Sequence, residues 1–184
     1  MSEYIKITTE EVLDVCNGEL ICGNMETVFD DFSKDTRDIK PGEVYVGVKG
    51  TQHNGNEFYE EALQKGAKAC ILQDIIIPEN VKEKYADRTI IIVKDTIQAL
   101  QRLALFKRNL YNIPVVAVTG SVGKTSTKDI IASVMSKKYH VLKTEGNFNS
   151  QLGLPLSIYR LKDHDSMVVE LGMNHLVENS KLNN

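Results

Sequence analysis

The stretch "AVTGSVGKTSTKD", residues 117 to 129, sets Gly120, Ser121, Gly123, Lys124, Thr125 and Ser126 directly behind an apolar, β-branched run. That composition suits a phosphate cradle. A buried strand delivers the loop to the carboxyl edge of a sheet, and glycines let successive backbone N–H groups turn toward one anion. The helix that follows aims its positive N-terminal end at the same point. Lys124 adds a mobile charge for the β- and γ-phosphates of a nucleotide, and Thr125 a hydroxyl for Mg²⁺. The strict pattern G-x-x-x-x-G-K-[ST] would need a glycine at Val118, so what remains is the shorter T-G-S-x-G-K-T. With a strand before it and a helix after it, the loop is expected to be a nucleotide site.

Two further segments carry candidate chemistry. "MVVELG" runs through a buried strand to Glu170, at the carboxyl edge where ligands of open α/β sheets bind. A carboxylate there could hold Mg²⁺ directly or through water. A glutamate simply leaving a sheet edge would look the same in isolation; the nearby phosphate loop favours the metal. In "EGNFNSQLGLPLS", Asn147 and Asn149 lie on a loop just before a helix. Asparagines there serve as caps and turn residues, and an amide can equally donate to a phosphate oxygen.

These residues need a scaffold, and the chain's organisation supplies one. Pro114 stops what precedes it, and the order then runs strand (114–119), glycine loop, helix (124–138), strand (140–144), loop, helix (150–160), strand (166–171). Strands alternating with helices at this spacing predict a parallel sheet covered on both faces. Upstream, "DTIQALQRLALFKRNL" reads as an amphipathic helix with Leu100, Leu103, Ala104 and Phe106 as its apolar stripe. The first part of the chain reads as small α/β. Thr8 or Thr9 caps a short helix that stops at Gly18, and "TVFDDFS" and "EVYVGVKG" are strands around the turn "DTRDIKPG". "NEFYEEALQKG" puts Phe58, Ala62 and Leu63 on one helical face, and "AKACILQ" and "TIIIVKD" are buried strands. The predicted boundary falls near residue 94, giving domains 1–94 and 95–184.

Composition excludes several classes. With 184 residues, 42% hydrophobic and 26% charged, the chain can bury a real core in one large domain or two small ones. A net charge of −3, with no charge blocks, offers nothing for nucleic acid. No apolar run approaches the ~18 residues of a membrane span, and the N-terminus has no signal-peptide core. Three cysteines, Cys16, Cys22 and Cys70, match no zinc or redox spacing and are expected to be reduced thiols. The expectation is a cytoplasmic protein.

Taken together, "TGSVGKTSTK", "GNFNSQLGLPLS" and "VVELGMNH" closely resemble the Mur ligases of peptidoglycan synthesis, and "GNFNSQLGLPLSIYRL" resembles the MurF branch. "DTRDIKPGEVYVGVKG" is similar to the signature of the uridine-binding domain in the MurE and MurF branches. The resemblance implies an α/β protein: a small N-terminal uridine-binding domain, then the first part of a P-loop-type parallel-sheet ATPase domain. It implies an ATP- and Mg²⁺-dependent amide ligase that joins D-Ala-D-Ala to UDP-N-acetylmuramoyl-tripeptide through an acyl phosphate. By position it puts Gly120, Ser121, Gly123, Lys124, Thr125 and Ser126 on the ATP phosphates, and Thr125 and Glu170 on the metal. Asn147 would contact the phosphates or acyl phosphate, and Thr36, Arg37 and Asn54 the UDP moiety. Where the family reads D-G-H or D-G-N, this chain has Asn54, Gly55 and Asn56, without the carboxylate. The family also has a C-terminal domain and the rest of the ATPase domain beyond the matched segments. The expectation is therefore an N-terminal portion that is inactive alone and has an uncovered sheet edge. The alternative is a binding module for UDP-muramoyl peptide or nucleotide that ligates nothing.

Overall fold

A computed structural model describes residues 5–145 and 150–172. The chain divides into two compact units, Lys6–Leu103 and, apart from a few N-terminal residues, Ala104 onward. The first opens with helix α1 (Thr9–Cys16), for which Thr8 is the cap. Glu11 Oε2 accepts the Thr8 amide at 2.6 Å, completing a reciprocal capping box. Asn17, at φ +50°, ends the helix one residue before the expected Gly18; asparagine tolerates the left-handed conformation that this cap requires.

Strands β1 (Glu19–Cys22), β2 (Phe32–Ser33), β3 (Val44–Val46), β4 (Ala69–Leu72) and β5 (Thr89–Ile92) form one sheet in the order β1-β5-β4-β3-β2. β1 is antiparallel to β5 and the other pairs are parallel. The two N-terminal strands are shorter than their apolar runs suggest: of "TVFDDFS" only Phe32–Ser33 joins the sheet, while Val28 makes an isolated antiparallel bridge to Thr8. β1 and helix α3 (Glu79–Lys84) have no expectation to set beside them; β1 is four residues long and α3 carries a single apolar residue, Val81, so periodicity is thin there.

A 3-10 turn over Gly55–Phe58 leads into helix α2 (Tyr59–Gln64). That turn corrects the expected helical face. It uses up four residues before the helix proper starts, so Tyr59, Ala62 and Leu63 point inward, with Tyr59 only 5% exposed and Phe58 42% exposed. Tyr45, Cys70, Leu72 and Ile90 complete that core. All three cysteines are free thiols.

Helix α4 (Thr96–Asn109) runs from the first unit into the second. Its buried stripe is Leu100, Leu103, Ala104 and Lys107, with Phe106 only half-buried. The spacing i, i+3, i+4, i+7 selects position 107 over 106. The Lys107 ammonium donates to the Tyr159 carbonyl at 2.5 Å and lies 4.4 Å from the centre of that ring.

The second unit contains β6 (Val115–Val118), α5 (Lys124–Met135), β7 (Val141–Lys143), α6 (Gly153–Tyr159) and β8 (Ser166–Glu170). Its sheet is wholly parallel, in the order β6-β8-β7. β8 is buried along its whole length, and Met167 and Val169 pack with Ala104, Leu154 and Ile158. The expectation of a sheet covered on both faces holds for β8 but not for β6. Among the described residues β6 has one strand neighbour, and Val115 and Ala117 are exposed. On α5, Ile130 and Val134 are 65% and 67% exposed. Among the described residues, no helix is long and apolar enough to cross a membrane.

Candidate functional site

β6 ends at Val118, and its register partner on β8 is Glu170. That pairing places the carboxylate at the sheet edge from which the glycine loop departs. Gly120 (φ +144°) and Gly123 (φ +78°) give the loop its turns, and Gly123 is the residue from which α5 begins. A side chain at Gly123 would meet no atom within 4 Å, so the requirement for glycine is conformational rather than steric. The next residue, Lys124, folds back so that its ammonium donates to the Gly120 carbonyl at 2.7 Å. The loop tip, Ser121 and Val122, is exposed, as is Ser126 on the first turn of α5.

Thr125 and Glu170, distant in sequence, meet here: the threonine hydroxyl donates to Glu170 Oε2 at 2.8 Å. Glu170 is 2% exposed. Behind it, the Glu170 amide donates to Thr144 Oγ1 at 3.0 Å, and the Thr144 amide donates to the Val168 carbonyl at 3.1 Å. Lys128, one helical turn beyond Lys124, is 1% exposed and donates to the Thr144 carbonyl at 2.7 Å. Gly120, Ser121, Gly123, Lys124, Thr125, Ser126 and Glu170 thus converge on one corner of this sheet. Asn147 lies outside the described residues. The motif reading stops at Ser126 and does not reach Lys128 or Thr144. The available signal is a second lysine at i+4 from the first, on the helix that the loop opens.

In the other unit, the candidate residues occupy two loops. Arg37 forks onto Asp35, with Nε at 2.9 Å and Nη2 at 2.5 Å, and this holds the Asp35 carboxyl well below the usual carboxylate range. Thr36 is buried, and its carbonyl accepts from Lys65 at 2.8 Å. Glu61 is held below its ordinary range first by Lys65 and then by the Thr36 hydroxyl. Asn54 Oδ1 accepts the Asn56 amide at 3.2 Å, so a neutral side chain does the capping here. Asn56, fully buried, accepts the Gln73 amide at 2.8 Å. Tyr45 ties this loop to the strands, donating its hydroxyl to the Gly55 carbonyl at 2.7 Å. Its pKa is pushed up to about 12, by burial first and then by Cys70, Asp35 and Glu61. Tyr45 lies within the "DTRDIKPGEVYVGVKG" signature, but the sequence gives it no role beyond that of a strand aromatic.

A parallel-sheet unit with a glycine loop, a lysine at the helix start and a carboxylate on the neighbouring strand defines an α/β class whose loop geometry suits a phosphate group. Two family models match the chain: the Mur ligase family catalytic domain over residues 33–108, and the Mur ligase middle domain over 118–184. The chain belongs to the Mur ligase family. Within that family it is a MurF-type region. It is 37% identical over 172 residues to UDP-N-acetylmuramoyl-tripeptide–D-alanyl-D-alanine ligase of Bacillus subtilis, covering 92% of this chain and 36% of that protein. The Escherichia coli protein of the same name is 35% identical over 175 residues, covering 93% and 36%. Among solved structures, MurF from Acinetobacter baumannii superposes with a TM-score of 0.80 at 28% identity, over 94% of this chain and 37% of that one. MurF ligase from Thermotoga maritima, in complex with ADP, gives a TM-score of 0.65 at 35% identity, over 76% and 31%. The chain therefore spans about a third of the length of the curated relatives it matches.

Proposed function

We propose that this chain carries the phosphate-binding and substrate-binding portions of an ATP-dependent ligase that joins D-Ala-D-Ala to UDP-N-acetylmuramoyl-tripeptide in the cytoplasm. The observation that carries the reading is the Thr125–Glu170 contact of 2.8 Å at the mouth of the glycine loop. It joins a hydroxyl and a carboxylate, hard oxygen donors of the kind Mg²⁺ selects, beside a loop shaped for phosphates. Bound there, Mg²⁺ would neutralise charge on the nucleotide's phosphates.

On this reading the terminal carboxylate of the tripeptide attacks the γ-phosphorus and ADP departs. The amine of D-Ala-D-Ala then attacks the acyl carbon, phosphate leaves with the former carboxylate oxygen, and the amine gives up a proton. Gly120, Ser121, Gly123 and Ser126 present N–H and hydroxyl groups to the phosphates. Lys124 swings from the Gly120 carbonyl to the β- and γ-phosphates, and Thr125 and Glu170 would hold the metal. Preorganised donors of this kind act where charge develops. Asn147 serves the phosphates or the acyl phosphate. Thr36, Arg37 and Asn54 receive the UDP moiety, in a substrate domain of residues 1–94 ahead of the ATPase portion of residues 95–184. The activity for which the relatives are named and the ADP complex of the Thermotoga maritima protein support this assignment.

Calorimetry on the chain tests it. Mg²⁺-ADP and UDP-N-acetylmuramoyl-tripeptide should each bind, and UDP-glucose should bind far more weakly than the tripeptide. Absence of both interactions in folded protein would sink the reading. Because the chain spans only a third of its relatives, we expect these 184 residues to form no pentapeptide from ATP, tripeptide and D-Ala-D-Ala.

A further inference from the structure

The floor beneath the loop contains a closed polar circuit, of which the ligase reading uses only the Thr125–Glu170 contact. It runs from Thr125 to Glu170 through the hydroxyl bond at 2.8 Å, and from the Glu170 amide to Thr144 Oγ1 at 3.0 Å. From the Thr144 carbonyl it continues to the Lys128 ammonium at 2.7 Å, and one turn of α5 returns it to Thr125. Three elements are joined: the first turn of α5, the end of β7 and the end of β8.

The energetic oddity is Lys128. It is 1% exposed, and the carboxylate of Asp129 lies 3.7 Å from its ammonium. Asp129 also pairs with Lys143 at 2.8 Å, so its charge is divided between two ammonium groups. An ammonium taken out of water costs several kcal/mol before its bonds offset that loss. A methionine or leucine would fill the same space without that cost, so packing alone does not account for a lysine here. Among the bonds described, the ammonium holds the Thr144 carbonyl, which an apolar side chain would not do. Fixing Thr144 also fixes the hydroxyl that accepts the Glu170 amide, and hence the backbone from which the Glu170 carboxylate projects toward Thr125.

We infer that Lys128 and Thr144 are positioning residues for Glu170, holding its carboxylate ready for the metal that accompanies the nucleotide. This rests on the ligase reading above. Groups behind a metal ligand typically change metal affinity by about 10- to 100-fold when removed.

The test compares ADP binding with and without Mg²⁺ in the full chain and in Lys128→Met, Thr144→Val and Thr144→Ser. The expected result is that Lys128→Met and Thr144→Val each lose at least about tenfold of the Mg²⁺-dependent gain in affinity. Their metal-free ADP affinity should stay within about twofold of the parent, since the phosphate loop itself is untouched. Thr144→Ser, which keeps the hydroxyl, should restore the gain. In metal-free protein, hydrogen exchange at the Glu170 amide should speed up in Thr144→Val and not in Thr144→Ser. Should Lys128→Met fail to fold, the two Thr144 variants decide the matter alone. Unchanged Mg²⁺ dependence in the variants would overturn the inference and leave the ligase reading standing. Parallel loss with and without Mg²⁺ would make the circuit merely structural and overturn it as well. No ADP binding by the parent chain under any condition would overturn both.

Discussion

Lys124 lies at the first position of α5 with its ammonium 2.7 Å from a carbonyl of the loop it follows. That bond is local and half-exposed, so removing it costs the fold little, whereas an ammonium bonded to phosphate is charge-assisted. Lys124→Ala should therefore weaken ADP binding by roughly 10- to 100-fold, from about 1.5–3 kcal/mol per charged hydrogen bond, with an almost unchanged melting temperature. Calorimetry and thermal melts on the same samples check this; equal affinity would remove Lys124 from the site. Gly123→Ala has a different cause: at φ +78° a Cβ costs about 1–2 kcal/mol of backbone strain, and relief of that strain would turn the loop N–H groups away. A lower unfolding free energy together with weakened ADP binding is the expected pair. The His164 imidazole is held below its ordinary pKa, first by burial and then by His140, whose ring stacks on it at 4.3 Å. Asp163 and Asp165 act the other way. With the folded value depressed, the unfolded chain takes up the proton first as pH falls. Stability from this group is full above the unfolded value of 6.5 and declines below it until the folded value is passed. Urea unfolding between pH 7.5 and 5.5 should show a shallower loss in His164→Phe, which keeps the ring and removes the titration. At this scale the glycines, Lys124 and Thr125 were legible because their types and spacing state their chemistry. Thr144 and Lys128 were not, because a buried threonine and lysine acquire meaning only from partners on other elements.

At the scale of elements, α1 depends on its first turn. Thr8 and Glu11 exchange bonds, and Thr8→Ala should destabilise the protein by about 1 kcal/mol, within the 0.5–2 range for lost caps. Guanidinium unfolding reads this directly, and a change below about 0.3 kcal/mol would mean water replaces the cap at no cost. The α2 region is the instructive departure. Apolar spacing alone allows Phe58 or Tyr59 to face inward, and the choice is made by the Asn54-capped 3-10 turn, whose pattern of short polar residues carries no period. The β6-α5-β7-α6-β8 alternation was legible in order and type, with α5 and α6 each starting or ending inside the expected range, because apolar strands alternate with helices there. β1 and α3 are too short for any period to stand out, and they owe their form to the sheet they join.

For the molecule as a whole, each unit has its own sheet, and α4 belongs partly to each. The first unit has a large apolar core of its own, including Tyr45, Tyr59, Leu63 and Ile90. A chain ending after Asn109, which keeps α4 entire, should unfold cooperatively in urea; a broad, featureless transition would show that this core needs the rest of the chain. Sequence reading put a boundary near residue 94, where the pattern changes; the compact units divide between Leu103 and Ala104, within α4. The resemblance implied an uncovered edge, but the sequence did not say that β6 would form it, since that depends on which strands lie beside it. The strand order β6-β8-β7 has a consequence for synthesis on the ribosome. β6 and β7 leave the exit tunnel first, yet neither pairs with the other; each pairs with β8. The nascent second unit thus has its glycine loop long before it has a sheet, and Glu170 is the last residue of the strand that creates one. The corner that the glycine loop shares with Glu170 is therefore assembled by a single event, insertion of the central strand β8 between β6 and β7.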